Sequence, residues 1–137
     1  MVKISFITGN SNKFKEVLNL VKKFNINAEI ERLDITPTEI QADSLEEVAK
    51  FKILSVIDKI SNDVMIEDAG FFIKVLNGFP GVYSSYVMRV IGNEGIIKLM
   101  KDQTDRNAKF KAVIAYYSKK QKKNSLFLRR SRGKSCL

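Results

Sequence analysis

Two apolar runs in this chain end in residues able to do chemistry. Ile4-Ser5-Phe6-Ile7 leads into Thr8-Gly9-Asn10-Ser11-Asn12-Lys13, and Val64-Met65-Ile66 leads into Glu67-Asp68-Ala69-Gly70. The first segment combines a glycine after a strand, which lets a ligand approach the backbone, with the start of a helix whose N–H groups and dipole favour an anion. Lys13 falls in the first helical turn, where a cation is disfavoured unless an anion accompanies it. The second segment sets two carboxylates at a strand tip, pointing to opposite sides. One can bind a hard divalent cation, magnesium or manganese, and the other can position or deprotonate water. Together the two segments suit a metal-bound polyphosphate.

Each segment also has a plainer reading. Residues 8–13 describe an ordinary strand–turn–helix with a surface lysine, and they lack the Gly-Lys-Ser/Thr ending of a Walker A loop. Acidic residues commonly end strands and begin turns. Lys52 stands at the edge of an apolar helical stripe, where it either snorkels to solvent or points into the same cleft. Glu39, in a loop marked by Thr36-Pro37, is either a surface residue or a further metal ligand. Tyr83-Ser84-Ser85-Tyr86, after Pro80-Gly81, either lines the cleft with hydroxyls or is a polar loop entering a helix.

The elements that must position these residues follow from periodicity. Strands are expected over 2–7, 28–33, 63–67, 71–76 and 109–118, with a further short one at 126–128. Helices are expected over 12–24, 44–60, 83–91 and 93–100. Ser11 or Asn12 is the expected cap of the first helix, and Ser44 with Glu47 forms a capping box for the second. A turn is expected at Asp68-Ala69-Gly70 and another at residues 77–81. Strands alternating with helices indicate an α/β sandwich around a central sheet.

Composition narrows the chemistry. The chain has 137 residues, 45% of them hydrophobic, enough for one domain with a core. It contains no histidine, which removes Ser-His and Cys-His catalysis and His-based zinc sites. Acid–base work falls to carboxylate, lysine, tyrosine or metal-bound water. The single cysteine, Cys136, excludes an internal disulfide and fits a reducing, cytoplasmic location. No membrane span and no signal peptide are visible. The net charge of +9 is concentrated at one end. Lys119, Lys120, Lys122, Lys123, Arg129, Arg130, Arg132 and Lys134 have no acidic neighbour after residue 118, leaving 16 basic against 15 acidic residues before it. A basic tail binds phosphate backbones non-specifically. Phe127 is its only aromatic residue, so nucleic acid is not the expected partner.

In their order, Thr-Gly-Asn-x-x-Lys-x-x-Glu at 8–16, Glu-Asp-Ala-Gly at 67–70 and Leu-Asn-Gly-Phe-Pro-Gly-Val-Tyr-Ser-Ser at 76–85 are distinctive. Over about residues 1–118 the chain resembles the inosine triphosphate pyrophosphatase family, in its archaeal form. The resemblance implies an elongated α/β fold, a mixed central sheet flanked by helices, a nucleotide cleft between two lobes and a homodimer. It also implies magnesium-dependent hydrolysis of non-standard purine nucleoside triphosphates (ITP, dITP, XTP) to the monophosphate and pyrophosphate. Carried over residue by residue, Thr8, Gly9, Asn10 and Lys13 would hold the phosphates. Lys52 would neutralise phosphate charge, and Ser84 would lie beside the nucleotide. Glu39, Glu67 and Asp68 would hold magnesium, and Asp68 would accept the proton of the attacking water.

The family's base-reading segments, Phe-Gly-Tyr-Asp-Pro and Ser-His-Arg, do not occur here. The second lobe is therefore expected to be incomplete. The organisation expected is a pyrophosphatase-like domain over 1–118 and a basic tail over 119–137. With suitable codons, residues 129–136 read one base along spell Glu-Glu-Val-Glu-Gly-Lys-Val-Ala, which resembles the family's next strand. A frameshift near residues 119–125 is the expectation this raises. A nucleotide-binding remnant without turnover and a nucleic-acid-binding protein working through its tail are the alternatives to the enzyme.

Overall fold

Ser5, Phe6 and Ile7 are all buried, as in a central strand covered on both faces. They belong to β1 (Val2–Ile7), which leads through α1 (Ser11–Lys23) to β2 (Ala28–Leu33). The structure, a computed structural model, describes residues 1–134. Further along are α2 (Leu45–Leu54), β3 (Asp63–Ile73), β4 (Pro80–Gly81), α3 (Ser84–Val90), α4 (Gly92–Leu99), β5 (Asn107–Ser118) and β6 (Lys123–Lys134). Short 3-10 turns occupy Ile57–Lys59 and Lys74–Leu76. The fold is mixed α/β, with strand order β2-β1-β3-β5-β6 and β4 paired on β3.

β1 is parallel to both of its neighbours. It pairs with β2 from Val2↔Ala28 to Ile7↔Leu33 and with β3 from Ile4↔Asp63 to Ile7↔Ile66. The chain therefore leaves β1 toward one side and later returns on the other. That reversal makes the end of the parallel β1–β3 pairing, at Ile7 and Ile66, a topological switch point of the kind at which open α/β sheets bind ligands.

Three expectations need correction. The cap of α1 is Asn10, not Ser11 or Asn12. Asn10 has extended backbone, and its Oδ1 accepts from the N–H groups of Asn12 (3.0 Å) and Lys13 (3.1 Å). The helix expected over 44–60 stops at Leu54. Ser55 Oγ donates back to the Lys52 carbonyl (2.6 Å) and accepts from Thr38 N–H (3.0 Å), and β-branched Val56 and Ile57 follow. The turn at Asp68-Ala69-Gly70 does not exist: the two strands expected around it are one, Asp63–Ile73. Gly70 is a strand glycine. A Cβ there would lie 2.5 Å from the Gly81 carbonyl oxygen, so glycine permits a close backbone approach. The capping serine of α2 does appear, with Ser44 Oγ accepting from Glu47 N–H at 3.2 Å.

The chain divides into two compact units. The first comprises Met1–Ile40, Ala49–Glu67 and Ile114–Phe127, and its buried residues include Phe6, Ile53, Val56, Val64 and Ile66. The second comprises Gln41–Val48, Asp68–Val113 and residues from Leu128 onward. Its core packs Ile73, Val87, Ile96 and Met100 together with Phe71, Val75 and Leu76. The short strand expected at 126–128 lies within the longer β6, where Leu126, Phe127 and Leu128 are exposed. Cys136 and the last residues of the basic tail lie outside the described residues. No helix among the described residues is long and apolar enough to cross a membrane.

Candidate phosphate and cation site

The loop after β1 is built by its own side chains. Thr8 Oγ1 accepts from Asn10 N–H (3.0 Å), and Asn10 Oδ1 then caps α1. The hydroxyl of Thr8 and the amide of Asn10 thus shape the turn before α1. Gly9 has open space beside it: an added Cβ would meet only Asp34 Oδ1, at an ordinary 3.7 Å. The fold itself does not require glycine at that position.

Lys13 Nζ lies 3.2 Å from Glu67 Oε1 and 3.7 Å from Glu16 Oε2. The cation in the first turn of α1 is accompanied by anions, as its place on the helix demands. The contact with Glu67 joins the two motifs in the first unit, at the switch point of the sheet. A second pair lies in the same unit, where Lys52 Nζ is 3.2 Å from Glu39 Oε1. Lys52 is 13% exposed and Glu39 is 73% exposed, so the lysine does not simply snorkel to solvent. The loop of Glu39 is tied to α2 through the Thr38–Ser55 hydrogen bond.

The strand that carries Glu67 is anchored at its start. Tyr116 Oη donates to Asp63 Oδ2 (2.6 Å), Lys119 N–H donates to Asp63 Oδ1 (2.9 Å), and Lys119 Nζ donates to the Ile57 carbonyl. Burial, and then the Asp63 carboxylate, push the Tyr116 phenol well above its ordinary range, so it remains a donor. Nothing in the residue types of Asp63 and Tyr116 marked them as partners.

In the second unit, Asp68 is the residue following Glu67 on β3, and its Oδ1 accepts from Ala69 N–H at 3.2 Å. Ser84 is buried, 9% exposed, while Tyr83 and Tyr86 are exposed. Its Oγ accepts from Phe71 N–H (2.8 Å) and donates to the Gly81 carbonyl (2.6 Å). In the same unit Lys111 Nζ lies 2.5 Å from Glu46 Oε1, and that hydrogen bond holds the Glu46 carboxyl below its ordinary range.

Glu39, Glu67 and Asp68 are hard oxygen donors, and their chemistry fits a divalent cation. Among the described residues no three acidic side chains gather into a ligand cluster. Glu67 and Glu39 each hold an ammonium group instead.

A capped helix, a lysine and a carboxylate thus stand together at the switch point of an α/β sheet, beside the parallel β1–β3 pair. The Ham1 family profile matches residues 4–135, and the chain belongs to that family. The chain is 52% identical over 116 residues to the dITP/XTP pyrophosphatase of Pyrococcus horikoshii, covering 85% of this chain and 61% of that protein. It is 43% identical over 115 residues to the dITP/XTP pyrophosphatase of Methanopyrus kandleri, covering 84% and 60%. It thus spans about three fifths of the length of these curated relatives. Among solved structures, a HAM1 protein from Coxiella burnetii superposes with a TM-score of 0.81 at 20% identity, over 98% of this chain and 73% of that one. The Staphylococcus aureus Ham1 protein gives 0.78 at 21% identity, over 96% and 71%. These two likenesses carry the fold.

Proposed function

We propose that this chain is a nucleoside triphosphate pyrophosphatase, hydrolysing non-standard purine nucleotides such as ITP, dITP and XTP to the monophosphate and pyrophosphate. The observation that carries the reading is the 3.2 Å approach of Lys13 Nζ to Glu67 Oε1, just past the point where the parallel β1–β3 pairing ends. It brings together an ammonium group suited to phosphate and a carboxylate suited to a hard cation. The names of the archaeal relatives support the substrate class.

In this reading Thr8, Gly9 and Asn10 form the turn that receives the phosphates, with Gly9 leaving room for their approach, and Lys13 and Lys52 balance their charge. Asp68 accepts a proton from the attacking water. Glu67, Glu39 and Asp68 are the residues that would hold magnesium or manganese. When bound, that ion neutralises charge on the phosphate oxygens. We further infer a homodimer, supported by the exposure of Tyr86, Met88, Val90, Ile91, Ile97 and Leu99 on and beside α3 and α4. A cytoplasmic location follows from where such nucleotides are found.

The test is pyrophosphate release from dITP in the presence of magnesium, with Asp68→Asn as the control. Release by the wild type and its loss in a folded Asp68→Asn variant is the expected result. Nucleotide binding without release would select the binding-remnant reading instead.

A further inference from the structure

Ser84 and Ser5 are the buried polar residues among those described. Ser84 occupies an unusual place in the sheet. Phe71 of β3 and Gly81 of β4 are register partners in an antiparallel pair. In such a pair the N–H of one strand ordinarily donates to the C=O of the other. Here the Ser84 hydroxyl bridges the two groups: Phe71 N–H donates to Oγ at 2.8 Å, and Oγ–H donates to Gly81 O at 2.6 Å. The hydroxyl has one proton, and the Gly81 carbonyl takes it.

The two groups so joined flank Gly70. The Gly81 carbonyl oxygen stands 2.5 Å from where a Gly70 Cβ would be, so the two backbones already touch. Gly81 has a positive φ of 55°, and a Cβ on it would lie 2.9 Å from the Gly78 carbonyl oxygen. Ile73 N–H also donates to the Phe79 carbonyl (3.2 Å), and Gly78 N–H to the Ile73 carbonyl (2.9 Å). Residues 77–84 therefore form a brace on β3 just beyond Asp68. Asp68 in turn directs its carboxylate through the N–H of Ala69, the next residue.

We infer that Ser84 is a positioning residue for Asp68, acting through the backbone of residues 69–71 and Gly81, and not a contact for the nucleotide. The inference rests on the function proposed above. Without the hydroxyl, a buried N–H and a buried C=O both lose a partner, and the strand segment after Asp68 is free to shift. Displacements of a fraction of an ångström in a reacting group lower turnover without weakening the grip on distant parts of the substrate.

The experiment compares Ser84→Ala, Ser84→Thr and Ser84→Cys with the wild type, measuring kcat and KM for dITP with magnesium. Cooperative unfolding is checked for each variant. Ser84→Ala should lower kcat about tenfold or more while KM stays within about twofold. Ser84→Thr, which keeps the hydroxyl, should recover most of kcat, and Ser84→Cys, with a weaker donor, should fall between. If Ser84→Ala does not fold, the contrast between Ser84→Thr and Ser84→Cys carries the test. A rise in KM with kcat unchanged would make Ser84 a nucleotide contact and overturn the inference. So would equal kcat in all variants that fold. A wild type that releases no pyrophosphate overturns the function reading, and this inference with it. The other two outcomes, seen with an active wild type, leave that reading intact.

Discussion

Replacing Lys13 with methionine separates binding from folding, because the structure assigns different magnitudes to the two. Lys13 is 35% exposed and Glu67 is 23% exposed, with 3.2 Å between the charged atoms. A half-exposed pair of this kind contributes about 0.2–1 kcal/mol to stability. A charge-assisted hydrogen bond to phosphate contributes about 1.5–3 kcal/mol. That corresponds to about tenfold to about 150-fold in Kd. Lys13→Met should therefore unfold at a urea midpoint near that of the wild type and bind dITP at least about tenfold more weakly by calorimetry. Glu67→Gln adds a sign test. Without magnesium it releases Lys13 and removes a negative charge, so affinity for the triphosphate should rise. With magnesium it removes a cation ligand, so affinity should fall. A Lys13→Met protein with the wild-type Kd, or a Glu67→Gln effect of the same sign in both buffers, would refute the proposed roles.

Other expectations follow from individual contacts. Gly70→Ala sets a Cβ 2.5 Å from the Gly81 carbonyl oxygen and should cost about 1–3 kcal/mol in urea unfolding; an unchanged midpoint would mean β4 does not pack as described. Gly9→Ala meets nothing closer than 3.7 Å and should leave stability unchanged while weakening dITP binding, since only the ligand needs that space; equal affinity would remove Gly9 from the phosphate loop. The lowered pKa of Glu46 gives stability that is fully present above its ordinary value of 4.5 and is lost as pH falls through the lower folded value. Lys111→Met should therefore flatten the loss of stability as pH falls below about 4.5; an identical slope in both proteins would discount the Glu46–Lys111 pair.

The strand–helix order was legible because β1, β2, α3, α4 and β5 each carry a clear period bounded by turn residues. Two of the hidden features share one cause, the use of a local signal by a distant partner. Gly70 has the composition of a turn, yet its missing Cβ serves the carbonyl of Gly81, eleven positions along. Ser84 sits in a motif suggestive of ligand contact, while its hydroxyl bridges β3 and β4. Asn10, read as a phosphate ligand, also caps α1, and that competition between neighbouring Asn and Ser residues is decided by backbone geometry. Lys13, Glu67, Glu39 and Lys52 were each marked by residue type and place, but the pairing of Lys13 with Glu67 and of Glu39 with Lys52 came only from the fold.

The identity of the bond broken tests the account most directly. Phosphorus NMR of the purified 137-residue chain incubated with dITP and magnesium distinguishes the products. The account predicts pyrophosphate and dIMP appearing together, with neither forming when Asp68→Asn is used. Orthophosphate with dIDP, or no product from a wild type that is folded, would contradict it.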